Sequence, residues 1–242
     1  MRASTITTVL VVLATAGTVH AKEGDLYNTL GTQAFDKMTL GVWVGSLAEE
    51  GRLEPGAAAA PVPFDQSGLA TMVRFQWGVY GRKTRFDTVT GVEGHIGLGW
   101  LGSGAISHEG SLGGMKYGRF FHDFDAMLNA GLLYGARWRI AALGGFGYST
   151  DRYYLIAGGK LQLGVAGYGV ELWGHWRPGY GYGGRDSDEV RFGATVASGS
   201  LGWGAGVEYW KGDLTRDDGT APRGRALRGD YTAILAAITK RW

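Results

Sequence analysis

From Met38 onward, apolar and polar residues alternate with a period of two. In the stretch from Leu69 to Tyr80, Leu69, Thr71, Val73, Phe75, Trp77 and Val79 fall on one face. Ala70, Met72, Arg74, Gln76, Gly78 and Tyr80 fall on the other. A helix would scatter these apolar residues around its circumference, whereas a strand collects them on one side. Val170, Leu172 and Trp176 stand in the same way against Glu171, Trp173, His175 and Arg177. Val190, Phe192, Ala194 and Val196 oppose Glu189, Arg191 and Thr195, and Trp203, Ala205, Val207 and Tyr209 oppose Gly202, Gly204, Gly206 and Glu208.

The pattern predicts ten strands, at about 38–47, 68–80, 85–101, 123–137, 139–148, 153–165, 169–178, 188–198, 200–211 and 230–242. Long polar connections at 48–67, 102–122, 179–187 and 212–229, with a short one at 149–152, alternate with tight turns at 81–84, near 138, at 166–168 and around Ser200. Long loops at one end and short turns at the other are the habit of outer-membrane barrels. The expected fold is all-β, a single antiparallel up-and-down transmembrane β-barrel of about ten strands. Both termini then lie at one end, which requires an even strand number. Eight strands result if 139–165 forms one hairpin arm, and twelve if 102–122 holds an extra pair.

Residues 1–21, MRASTITTVLVVLATAGTVHA, read as an export signal. Arg2 gives a positive start, Val9 to Ala16 is an apolar core too short to span a bilayer as a helix, and Val19 and Ala21 are the small residues before a cleavage. Residues 22–37 read as a periplasmic N-terminal segment and 38–242 as the barrel. The location this implies is the outer membrane of a Gram-negative cell.

Composition changes the picture only a little. The 242 residues carry a formal net charge of +2, which argues against a nucleic-acid partner held by a basic field. With no Cys, disulfides, thiolate metal sites and a cysteine nucleophile are excluded. The 44 Gly, 9 Trp, 12 Tyr and 9 Phe suit long strands with one apolar face and one small or polar face. Trp77, Trp100, Tyr148, Trp176, Tyr209 and Trp242 fall on the apolar face near predicted strand ends, the depth at which an aromatic ring with a polar tip meets the membrane boundary.

The last strand, YTAILAAITKRW, places Ile234, Ala236, Ile238 and Trp242 on one face, with Lys240 among them. This resembles the terminal strand of the bacterial outer-membrane β-barrel superfamily, the small OmpA/OmpX-like or porin-like barrels. The resemblance implies that Ile234, Ala236, Ile238 and the final Trp242 form the signal read by the barrel-assembly machinery, with outer-membrane lipid and lipopolysaccharide as surroundings. Lys240 departs from that pattern, but so close to the end it can snorkel to the headgroups. No particular family is identified.

If the apolar face meets lipid, the other face lines the interior. It carries Arg74, Gln76, Glu93, His95, Arg137, Arg139, Lys160, Gln162, Glu171, His175, Arg177, Glu189, Arg191 and Glu208. Arg or Lys facing lipid at mid-depth would cost about 2–4 kcal/mol. Alternating signs point to internal ion pairs, and ten strands to a narrow bore. Interleaved Gly78, Gly97, Gly99, Gly164, Gly202 and Gly204 leave room for long side chains or a thin water path for small solutes.

Candidate chemistry is sparse, and neither a cofactor nor a metal is expected. Ser107-His108-Glu109-Gly110-Ser111 offers His108 and Ser111 as a base and nucleophile for acyl-ester hydrolysis. It distantly resembles the His-x-Ser motif of outer-membrane phospholipases and lipid A deacylases. The spacing here is His-x-x-Ser, and residues three apart on a strand do not share a face. His122, Asp123 and Asp125 distantly resemble omptin proteases, without a second acidic pair to match. The acidic stretches Asp186–Glu189 and Asp213–Gly219 read as loop tips that could attract divalent ions, and Arg223, Arg225 and Arg228 as contacts for anionic headgroups. The leading expectation is a non-enzymatic barrel, structural or weakly porin-like. The alternatives are an outer-membrane lipid acyl hydrolase and a secreted soluble barrel with its faces reversed around an apolar ligand.

Overall fold

A computed structural model describes residues 36–54, 61–83, 88–102, 119–134, 138–150, 152–165, 168–181, 186–199, 201–217 and 226–242. Every regular element among them is a strand: β1 (Asp36–Glu54), β2 (Val62–Lys83), β3 (Thr88–Gly102), β4 (Arg119–Tyr134), β5 (Trp138–Ser149), β6 (Arg152–Val165), β7 (Tyr168–Gly181), β8 (Asp186–Ser198), β9 (Trp203–Asp217) and β10 (Ala226–Arg241). Each strand pairs antiparallel with its neighbours in sequence, and β1 pairs with β10 from Thr39↔Arg241 to Glu54↔Ala226, so the sheet closes into a ten-strand barrel. Closure leaves no sheet edge unpaired.

Side-chain alternation decides the two surfaces. Along β5, Trp138, Ile140, Phe146 and Tyr148 are exposed while Arg139, Ala141, Leu143, Gly147 and Ser149 are buried. The same rhythm runs around the barrel, with Val42, Val73, Ile96, Leu128, Leu155, Leu172, Phe192, Val207 and Ile238 all on the outside. Leu128 is 69% and Ile238 65% exposed. A continuous belt of this kind far exceeds the apolar patches that water-soluble monomers tolerate. The arrangement with apolar faces turned inward around a ligand is therefore not the one this chain adopts.

Aromatic residues sit at both margins of the belt. Trp77, Trp138, Trp203 and Trp242 mark the end that carries the start of β1 and the finish of β10, here called the terminal end. Trp100, Tyr148, Tyr153, Trp176 and Tyr180 stand toward the far end. At the terminal end, the β8–β9 turn uses Gly202 at φ 65°, a conformation costly for any residue with a Cβ. Gly202 N–H donates to Ser198 O at 3.1 Å, and Gly202 O accepts from Arg241 N–H at 2.7 Å. The Lys240 ammonium donates to Leu201 O at 2.6 Å and lies 5.1 Å from the Trp203 ring centre.

The strands run further than the alternation predicts at the far end. β1 continues to Glu54 and β2 begins at Val62, inside the stretch 48–67 expected to be a loop. β9 likewise reaches Asp217, and β10 starts at Ala226. Beyond the apolar belt the ladder continues with polar residues on its outer face, such as Glu50, Arg52, Asp65, Lys211 and Asp213. Backbone pairing needs no alternation once both faces are wet, so hydropathy loses sight of it. β7 also runs to Gly181 through Pro178, and the β6–β7 ladder skips Leu155 and Ile156 next to this residue, which has no N–H to donate.

Candidate functional site

The interior is the candidate site. Of the residues expected to line it, Arg74, Glu93, His95, Arg139, Lys160, Gln162, His175, Arg177, Glu189, Arg191 and Glu208 are buried, and Gln76 and Glu171 partly so. A buried side chain in a single closed sheet points inward. Arg137 lies outside the described residues, as do His108 and Ser111. Ile234, Ile238 and Trp242 face outward and Ala236 is half-buried on the same face.

The far half of the interior is crossed by a network centred on β4. Phe121, Asp123, Asp125, Met127 and Asn129 all point inward from it. His95 bridges the two aspartates, with Nε2 3.2 Å from Asp123 and Nδ1 3.1 Å from Asp125. Arg191 donates to Asp123 and Arg177 to Asp125, each at 2.5 Å. The Tyr154 hydroxyl donates to Asp125 at 2.6 Å and also to Asp123. Glu189 accepts from Arg191 at 2.6 Å, pairs with Arg152 at 2.7 Å and accepts from the Tyr231 hydroxyl. Three carboxylates (Asp123, Asp125, Glu189) thus face three guanidinium groups (Arg152, Arg177, Arg191).

A second network lies toward the terminal end. Lys160 donates to Glu93 at 2.6 Å and stands 3.8 Å from Glu171. Glu93 also accepts from the Tyr80 hydroxyl, and from Asn129 at 3.3 Å. Arg139 donates to Gln162 at 3.0 Å, to Val89 O at 3.1 Å and to Asn129, and Gln162 passes its amide hydrogen to Glu171 at 2.5 Å. Two acidic groups again meet two basic ones. A third, smaller element joins Arg74 to Glu208 at 2.5 and 3.0 Å, with Trp210 donating its indole N–H to Glu208 at 2.9 Å.

Each of these charges would be costly alone in a low-dielectric interior, and each is paired and hydrogen-bonded. Within each of these groups the formal charges cancel, and Arg241, on the inward face of β10, adds a further positive charge near Glu171. His95, Asp123 and Asp125 bring their ligand atoms within 4.8 Å of one another, a spacing a metal ion could use. Arg177 and Arg191 already occupy those carboxylates, so the donor set is spent on cations of the protein itself. His122, grouped with these aspartates in the sequence, points to the other face, where Thr150 Oγ1 is 3.2 Å from its Nδ1 and Tyr148 packs on its edge.

The stretch Asp186–Glu189 is not a loop tip. It opens β8, with Ser187 and Glu189 buried inside the barrel. Asp213–Asp217 belongs to β9, and Arg228 to β10 opposite Arg52, whereas Arg223 and Arg225 lie outside the described residues. Arg152 is an interior residue in the stretch 149–152 expected to be a connection, and Asp123, Asp125 and Tyr154, inside predicted strands, line the interior without having been counted among its residues. Extending the period of two back from Asn129 through Asp123 to Phe121 would have found the two aspartates.

An apolar cluster packs beside the far network on β1, β2, β4, β9 and β10: Trp43, Leu47, Ala70, Met72, Phe121, Trp210, Ala233, Leu235 and Ala237. Arg191 lies 3.8 Å from the Trp210 ring centre and Arg74 4.8 Å from that of Trp43, so the two kinds of filling meet face to face. Below them remains a cavity of about 60 Å³, bordered by Gln76, Glu93, Lys160, Glu171, Trp173 and His175 among others.

A closed antiparallel barrel with an apolar exterior and a charged interior is the architecture of the bacterial outer-membrane β-barrel superfamily. The fold is similar to that of an outer membrane channel from Pseudomonas putida F1, at 9% identity and TM-score 0.40 over 85% of this chain and 95% of that one. A Pseudomonas aeruginosa FadL homologue matches at 10% identity and TM-score 0.34, over 89% and 92%. The attachment invasion locus protein Ail of Yersinia pestis matches at 10% and 0.22, over 83% and 97%. No model of a known protein family and no curated protein matches the chain.

Proposed function

We propose that this chain is an exported, structural barrel of the Gram-negative outer membrane, without catalytic activity and without an open pore. The observation that carries the reading is the filling of the far half of the interior. Ion pairs from β3, β4, β6, β7 and β8 meet the Trp43–Trp210–Leu235 cluster, and together they bury Arg177, Arg191, Glu189, Asp123 and Asp125 almost completely. Filled in this way, the far half offers no bore for an ion-selective channel. The weakly porin-like alternative requires this layer to move.

The outward belt and its aromatic margins support residence in outer-membrane lipid, with lipopolysaccharide around the far end. Long connections at that end, 103–118 and 218–225 against 135–137 and 166–167 at the other, support an extracellular far end and a periplasmic terminal end. On this reading, residues 1–21 are removed on export, and the outward face of β10 ending at Trp242 is what the assembly machinery reads. Purified protein should migrate differently in unheated and boiled gel samples and stay electrically silent in a planar bilayer. Steady unitary conductance would refute the closed barrel, and a soluble, heat-insensitive protein would refute the membrane reading altogether. An acyl hydrolase is tested by incubation with phospholipid and lipid A, whose masses should remain unchanged.

A further inference from the structure

His175 is the exception to the pairing that governs the interior. It is 8% exposed, and neither Nδ1 nor Nε2 finds a hydrogen-bond partner among the described residues. An imidazole has two polar nitrogens whatever its protonation state, and leaving them bare in a dry interior is costly. The ring is nonetheless held with care. It stacks on Trp173 with ring centres 4.6 Å apart. Gly158, its register partner on β6, makes room for it, since a Cβ there would lie 2.9 Å from His175 Cδ2. Gly193 makes room for Trp173 in turn, because a Cβ there would strike the indole.

The surroundings indicate what meets those nitrogens. His175 borders the cavity beneath the far network, where Arg177, Lys160, Glu93 and Glu171 are engaged with partners of their own. Inward-facing residues toward the terminal end stay partly open to solvent, among them Gln76, Glu171, Trp173, Thr195 and Ala197. At the far end, Leu47, Ala70, Phe121, Arg152 and Ser187 are sealed. Thr39 Oγ1, in register with Gln76, is another buried polar atom with no hydrogen-bond partner among the described residues.

We propose that the terminal half of the interior is a blind, solvent-filled pocket that binds small uncharged polar molecules carrying both a hydrogen-bond donor and an acceptor, with His175 as its anchor. Two idle nitrogens reward a molecule that can both give and accept a hydrogen, and a neutral one enters without giving up an ion's hydration. Water and a small periplasmic solute share this chemistry. The sidedness of the pocket rests on the closed-barrel reading above; the occupancy of His175 does not.

The cysteine-free sequence makes the test direct. Thr195→Cys sits beside Glu171 on the open wall, and Ser187→Cys in the sealed layer. In detergent micelles, a small methanethiosulfonate reagent should modify T195C and leave S187C intact. On intact cells a bulky maleimide should modify neither, and T195C should become reactive once the outer membrane is permeabilised. For the occupant, imidazole ¹⁵N signals of the full-length protein, assigned by their loss in His175→Phe, should show contact with water. A saturable shift on adding glycerol would identify a solute site, and water contact without it would identify water as the resident; either upholds the pocket. An inert T195C in micelles, or a His175 ring without water contact, would overturn the proposal. Maleimide labelling of T195C in intact cells would overturn the blind end and, with conductance, the closed barrel as well.

Discussion

Two walls of one interior are filled by opposite means. Around the β10–β1 closure, Trp43, Leu47, Ala70, Ala233, Leu235 and Ala237 build a small apolar core of the kind found in water-soluble proteins. Across from it, β4, β6, β7 and β8 present Asp123, Asp125, Tyr154, Arg177, Glu189 and Arg191, joined by hydrogen bonds. Both walls lie in the far half, are equally buried, and stand on the same kind of strand. The difference teaches that a barrel's interior has no required polarity. It must be full, and whatever is polar must be paired. The apolar wall achieves this by shape, which tolerates small losses, and the ionic wall by complementarity, which does not.

The comparison predicts its own breaking points. Asp123→Ala should be the most damaging change, because Arg191 and His95 lose a buried partner at once; a loss of about 3–5 kcal/mol is expected in urea unfolding of the lipid-embedded protein. A loss below about 1 kcal/mol would show that the ionic wall is incidental. Leu235→Ala, on the apolar wall, should cost about 2–5 kcal/mol by leaving a cavity, with the ion pairs intact. Gly193→Ala should cost about 1–3 kcal/mol by pushing Trp173 off its seat, and an unchanged tryptophan emission spectrum would contradict that seat. The double change Arg74→Met with Glu208→Leu removes an isolated pair beside Trp43 and Trp210. It should be close to neutral, although Glu208→Leu alone strands the arginine at about 3–5 kcal/mol. If the double variant is as unstable as the single, the pair does more than cancel its own burial.

Ten strands and the inward or outward sense of their residues were legible because an apolar outer face and a polar inner face impose a period of two. Arg139, Lys160, Glu171 and Arg191 could be placed inside on that ground alone. The alternation failed where the outer face turned polar. It missed the extensions of β1, β2, β9 and β10 beyond the belt, and it left Arg152, Asp186 and Ser187 in connections. The same alternation puts Trp43 and Trp210 inside, opposite in sense to Val42, Val44 and Tyr209, but it gave no warning that arginines stand against them.

By itself the sequence determined that this chain makes antiparallel strands with one apolar face, closes them in an even number and ends on an aromatic. These are local properties, written in residues two apart. Only the tertiary structure decided which charges meet. Arg191 and Asp123 are 68 positions apart, and Arg74 and Glu208 are 134 apart. Their pairing follows from closure and register, which carry opposite walls of the barrel to within a side chain's reach. The same closure leaves His175 without a hydrogen-bond partner among the described residues. No neighbour in sequence could have announced that, because an unmatched group is defined by everything around it.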